Sequence, residues 1–195
     1  MWKIISKMHK NLIQTIITLG ISPIPSWKSL NDTEEEKGKT FLMNYLYPFL
    51  GATTISVFLG TFFHKKGTIL EIALKESILI FVSLFCAFFL SSYILNRVNV
   101  RFFEQKDNLL KTQMFVGYIS SIAYVIKMIQ ALLPELFFVN FAMYYILYII
   151  WTGSEHFMDI QSNKRLYYLI VSSVILYIIP IIMEKIMVFL MPGLS

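Results

Sequence analysis

Charge is what this sequence has least of. Asp, Glu, Lys and Arg make up 15% of its 195 residues, against 56% hydrophobic ones and a mean hydropathy of +0.64. Soluble domains carry roughly a quarter charged residues, so an ordinary water-facing surface is excluded. Cysteine is nearly absent: Cys86 stands alone, which excludes an internal disulfide and any paired-cysteine metal motif. It reads as a small apolar residue. The three histidines, His9, His64 and His156, lie near the ends of apolar runs, and neither a His-Glu-x-x-His run nor a Gly-rich phosphate loop occurs. Glu155, His156 and Asp159 are the nearest approach to a cluster, in a stretch that reads as a solvated loop. No nucleophile, base and orienting carboxylate are singled out as a set. The expectation is a non-enzyme with no cofactor and no metal.

What the sequence does have is long apolar runs. A helix needs about 20 apolar residues to cross about 30 Å of hydrocarbon. Residues 41–63 contain no charged side chain, and further spans fall at about 70–95, 112–133, 136–152 and 166–190. The second starts softly, with Glu71, Lys75 and Glu76 in its first turns. The fold class expected is all-α: a polytopic transmembrane bundle of five helices over residues 41–195. Residues 1–40 precede it as an amphipathic N-terminal interfacial helix and a charged linker, NDTEEEKGK at 31–39. Ile5, Met8, Leu12, Ile16 and Leu19 recur at spacings of three and four, opposite Lys3, Lys7, Lys10 and Gln14. That pattern describes a helix in the membrane interface with its lysines on anionic headgroups. Packing of the same helix onto the protein's own surface is the rival reading. A cleaved signal peptide is not expected, because Asn11, Gln14 and Thr15 interrupt the apolar part and no small-x-small site follows.

Five spans put the termini on opposite sides, and basic residues choose between the two orientations. Lys3, Lys7, Lys10, Lys28, Lys37 and Lys39, the 2–3 loop residues Arg97, Arg101, Lys106 and Lys111, and the 4–5 loop residues Lys164 and Arg165 share one side. The other side has Lys65, Lys66 and Lys75. Twelve against three predicts a cytoplasmic amino terminus and an outer or lumenal carboxyl terminus. The formal charge of +5 is then a matter of topology, and nucleic acid is not an expected partner.

Small residues let helices approach closely in lipid. Ala52, Ser56 and Gly60 in the first span and Ser83, Ala87 and Ser91 in the second recur every four residues. They predict a tight hairpin, with self-association into a homo-oligomer as the alternative. Phe137, Phe141, Tyr144, Tyr148 and Trp151 form an aromatic stripe on the fourth span, read as a packing seam or interface anchor. The third and fourth spans are joined only by Pro134 and Glu135 and must form a close hairpin. Intramembrane charge is costly and therefore informative. Lys127 and Glu184 each lie six residues before the outer end of a span, about 9 Å deep. They are a candidate ion pair, with Lys185 as competitor; outward snorkelling of the lysines is the plainer reading. Pro180 is expected to kink the fifth span.

Several of these residues also carry a family resemblance. Pro23 and Trp27 in SPIPSW make a Pro-x-x-x-Trp-type entry, and Asn44-Tyr45-Leu46-Tyr47-Pro48 is similar to an Asp-Leu-Tyr-Gly-Pro signature without its Asp and Gly. Gly117-Tyr118, Pro134, Tyr145, Tyr148 and Gly153 follow in order. On these positions the chain resembles the Yip family, the five-span Rab-interacting proteins of the early secretory pathway and their bacterial relatives. The short amino-terminal region is more similar to a bacterial relative, which implies a bacterial inner membrane rather than Golgi or ER. The resemblance implies a five-helix bundle and a non-enzymatic adaptor or membrane organiser. The expected partners are a bilayer with anionic headgroups and another membrane or cytoplasmic protein. The surface assigned to them is Trp2, Lys3, Lys7, Lys10 and Trp27, with Arg97, Arg101 and Lys106. The alternative is a small transporter or permease subunit with a polar pathway near Lys127 and Glu184.

Overall fold

A computed structural model describes residues 13–33, 38, 40–64 and 69–191. Among them every regular element is helical. We label the helices α1 (Pro23–Asp32), α2 (Tyr47–His64), α3 (Ile69–Phe102), α4 (Leu109–Leu132), α5 (Ala142–His156) and α6 (Arg165–Leu190). Residues 13–21 form a further helical stretch ahead of α1. Five helical segments are long and apolar enough to cross a membrane: Leu42–His64, Leu70–Phe102, Leu109–Leu132, Phe137–His156 and Arg165–Leu190.

Prolines set the boundaries and bends. Pro23 opens α1, where a missing N–H leaves no intrahelical acceptor unmet. Pro48 cannot donate to the Asn44 carbonyl, and the turn before it, Leu42–Leu46, widens to a π-helix. Pro180 lies inside α6, so the Leu176 carbonyl loses its helical donor. α4 begins at Asn108, whose side chain accepts from the Lys111 N–H at 2.9 Å. Between α4 and α5 the chain turns at Pro134 and Glu135 and enters a 3₁₀ segment, Phe137–Phe141. Gln130 and Asn140 are hydrogen-bonded across that turn, and α4 and α5 are neighbours.

α3 is the spine. Its 34 residues extend about 50 Å, well beyond the hydrocarbon thickness of about 30 Å. It contacts α2, α4 and α6, while α1 lies on α5. The helix does not stop where its apolar run does: Arg97 and Arg101, expected in the 2–3 loop, sit on its last turns. Charge ends a span but not a helix, and here Asn96 is buried, donating to Asp107 Oδ1 at 2.7 Å and accepting from Thr112 at 3.2 Å. The helix therefore continues as the polar seam that meets α4.

The small-residue stripes are used differently from the expected hairpin. α2 and α3 do pack extensively, with Thr61 Oγ1 donating to Glu76 Oε2 at 2.6 Å. Yet Ala52 is exposed and Ser56 half-buried. Gly60 is buried against α4, where a Cβ would come within 2.0 Å of the Ala131 carbonyl oxygen. Ser83, Ala87 and Ser91 are buried, and Ala87 and Ser91 line a cavity bounded by α3, α4, α5 and α6. Spacing identified close-approach residues without identifying which neighbour approaches.

The same chemistry makes opposite predictions at two glycines of α2. Gly60→Ala should destabilise the detergent-solubilised protein by about 1 to 3 kcal/mol, because backbone rather than a flexible side chain must move. Gly51→Ala, with nothing within 4 Å of the added Cβ, should be neutral or stabilise by up to about 1 kcal/mol. Thermal unfolding of the two variants checks the contrast.

Candidate functional site

The amino-terminal segment is bound to the bundle by a cluster of aromatic rings. Trp27, proposed from sequence as part of a partner-binding face, is fully buried. It packs on Phe115 and Phe157 with ring centroids 5.5 and 5.3 Å away, and Tyr118 meets it edge-on at 6.1 Å. Its Nε1–H donates to the Ile149 carbonyl at 3.2 Å. The slot exists because position 153 lacks a side chain: a Cβ there would sit 2.7 Å from the indole and 2.8 Å from Phe115. Gly117 makes the matching slot for Phe41, whose ring would be 2.5 Å from an added Cβ. Tyr45 stands beside them, 4.8 Å from Tyr118 between centroids. Its hydroxyl is 2.9 Å from Ser121 Oγ, and that serine donates its proton to the Tyr118 carbonyl at 2.7 Å. Trp27, Tyr45, Gly117, Tyr118 and Gly153 thus meet in one place.

This docking runs along the side of α5. Trp27 reaches Ile149, and Tyr145 donates to the Gly20 carbonyl at 2.9 Å. These positions lie seven and eleven residues before α5 ends at His156, about 10 and 16 Å along its axis. Leu19 is fully buried and Ile16 half-buried, while Ile13, Ile17, Ile21 and Ile24 are 59%, 51%, 77% and 40% exposed. The segment is amphipathic, with one face on the bundle and an isoleucine face outward. Trp2, Lys3, Lys7 and Lys10 lie outside the described residues.

The remaining candidate face is less open than a tally of basic residues implies. Lys164 contacts Glu104 at 2.6 Å, Lys111 contacts Asp159 at 3.4 Å, and Arg165 contacts Glu155 at 2.9 Å. The Lys164 ammonium holds the Glu104 carboxyl below the usual carboxylate range through a direct hydrogen bond. Glu104 and Asp159 have φ of 57° and 53°, so these two ion pairs engage the strained residues of the α3–α4 and α5–α6 loops. Arg97 lies 3.6 Å from Asp107 and over the Tyr93 ring. Arg101 stacks on Phe102, and Lys106 is exposed.

At the opposite end, Lys127 of α4 donates to Glu184 Oε2 of α6 at 2.9 Å. The pair borders a partly enclosed cavity of about 230 Å³ lined by α3, α4, α5 and α6. Small residues make the space: Ala87 and Ser91 on α3 and Ser120 and Ala123 on α4, with Pro180 on α6. The aromatic stripe of the fourth span lines no part of this cavity, and Phe137, Phe141, Tyr144 and Tyr148 are exposed. Among the described residues no three His, Cys, Asp or Glu side chains gather as a metal site.

Fold and site together define a five-span helical membrane protein whose amino-terminal segment is locked to the bundle by an aromatic cluster. Residues 16–183 match the family model for the Yip1 domain, and the chain belongs to that family. No curated protein and no solved structure matches it. The bacterial affiliation drawn from the short amino-terminal region does not follow from this match.

Substitutions at Trp27 and at the Lys127–Glu184 pair test the two ends of the site. Trp27→Ala should cost about 3 to 5 kcal/mol, the usual range for emptying a buried aromatic position, as read from chemical unfolding in detergent. Lys127→Met strands a carboxylate in an apolar setting, so Lys127→Met with Glu184→Gln should be more stable than Lys127→Met alone by about 1 to 3 kcal/mol. Thermal melts of the single and double variants measure the difference.

Proposed function

We propose that the protein is a non-enzymatic membrane adaptor and organiser of the Yip type, working through the end of the bundle that carries its amino-terminal segment. One observation carries this reading. α1 packs on α5 from its middle at Ile149 toward its His156 end at Gly153, so that part of the bundle holds an additional helix. A body wider in one leaflet displaces lipid unequally, and the outward isoleucines place that extra volume in acyl chains rather than water. Lys3, Lys7 and Lys10, just ahead of the segment, supply the attraction to anionic headgroups. The distribution of Lys and Arg supports a cytoplasmic location for this end, with Arg101 and Lys106 as the charges offered to a protein partner. Solute transport is not favoured. A cavity does reach Lys127, but its lining is mostly aliphatic and aromatic, unlike a hydrated pathway.

The full-length protein, reconstituted into mixed small and large vesicles with anionic lipid, should concentrate on the more curved ones. Replacing Ile17 and Ile21 by Asp should abolish the preference while leaving helical circular dichroism unchanged. Equal density of the native protein on both vesicle classes would sink the organiser half of the proposal. Failure to crosslink any protein through Lys106 in native membranes would sink the adaptor half.

A further inference from the structure

The cavity at Lys127 and Glu184 has a chemistry that membrane organisation does not use. Its walls are mostly apolar, and it lies within the spans. Apolar cavities stay dry, and one of about 150 Å³ already takes a benzene. A space of about 230 Å³ therefore suits a length of one acyl chain and is too small for two chains. The hydroxyls of Ser120, Tyr124 and Tyr177 also line it but have partners within the protein, which leaves two polar features open to a ligand. Ser91 is 1% exposed, and its hydroxyl has no hydrogen-bond partner among the described residues. Ser83, Ser92 and Ser173 share that state, whereas Thr53, Thr54 and Ser172 each donate to the carbonyl four residues back; of the four unpartnered serines only Ser91 lines the cavity. The second feature is the ion pair at the border. Its one hydrogen bond uses a single N–H of Lys127 and one oxygen of Glu184. An ammonium has three N–H groups and a carboxylate two oxygens, so a donor and an acceptor stand side by side.

We propose that this cavity binds a glyceride: one acyl chain lies between α3, α4, α5 and α6, and a glycerol hydroxyl sits on the Lys127–Glu184 pair. A hydroxyl is the group that matches such a pair, since its oxygen accepts from Lys127 and its proton is donated to Glu184. A phosphate or carboxylate headgroup would meet the Glu184 charge and is disfavoured. The pair also lies near the depth at which a glycerol backbone meets the chains, about 8 Å from the end of α4 and about 9 Å from the end of α6. Ser91 offers a second polar contact deeper in the wall. The small residues opposite it, Ser120 and Ala123, are what keep the channel open.

The test uses the full-length protein in nanodiscs and two photoreactive lipids with the same diazirine-labelled chain, a monoacylglycerol and a phosphatidic acid. The monoacylglycerol should label peptides of α3 and α4 around Ala87 and Ala123, and excess unlabelled monoacylglycerol should compete it away. Ala123→Phe fills the space and should abolish labelling. Ala87→Val, a smaller change, should reduce it if the larger variant does not fold, as judged by gel filtration. Lys127→Met with Glu184→Gln keeps the cavity but removes the pair, and should weaken competition about tenfold, the worth of a charge-assisted hydrogen bond. Labelling that survives both cavity-filling changes in a folded protein would overturn the site. Equal labelling by phosphatidic acid would overturn the glyceride, leaving only chains that enter from bulk lipid. No labelling by either lipid would overturn the proposal as a whole.

Discussion

The indole of Trp27 in the gap above Gly153 is the contact on which the amino-terminal half of this molecule depends. A tryptophan buried with its N–H bonded to a backbone carbonyl meets both demands of its side chain, apolar area and a polar tip. It does so only because α5 presents a glycine at the point of approach. Once the ring is seated, Leu19 and Leu30 are carried into the core, and the isoleucines four and three residues apart are left outside. The clamp turns an otherwise marginal short helix into part of the bundle, as tertiary packing usually must.

The other face of the same design is at the far end, where apolar volume is withheld. Ala87, Ser91, Ser120 and Ala123 are small where larger side chains would close the space between α3 and α4. Native interiors are filled nearly to crystal density, so such a gap is a departure from packing that calls for an occupant. The charged pair at its border adds a second departure, since ionised groups within spans need partners. Lys127 and Glu184 supply each other. The two ends are built on opposite principles: one filled by rings inserted over glycines, the other kept open by small residues.

The residues that carried the family resemblance acquire a common physical meaning. Trp27, Tyr45, Gly117, Tyr118 and Gly153 are scattered over four segments of sequence and join one aromatic cluster, in which Gly153 and Tyr118 meet the indole, Tyr45 meets Tyr118 and Gly117 admits Phe41. Their order along the chain was readable, but their convergence was not. A glycine in an apolar run leaves room for a close approach without naming the neighbour, and Gly60 illustrates the limit: it marked a close approach, yet the partner is Ala131 of α4 and not the adjoining helix. Trp27 shows the complementary limit. An exposed-looking tryptophan between a proline pair and a charged linker reads as a surface feature because nothing local reveals a slot at Gly153, on a helix far along the chain.

By itself the sequence determined the class, the five spans, their approximate limits and the hairpin turn at Pro134 and Glu135. Those follow from run length, from proline geometry and from the cost of charge in hydrocarbon, all of which act within a single segment. It also placed Lys127 and Glu184 at equal depth, because helical rise converts residue number into distance. Only the tertiary structure decided that these two face each other, that Arg97 and Arg101 ride on a helix rather than a loop, and that Ala87 and Ser91 border a cavity. The physical reason is rotational: depth is fixed along a helix axis by counting residues, whereas the direction a side chain faces depends on how neighbouring helices turn and pack, which is settled by contacts from every part of the chain at once.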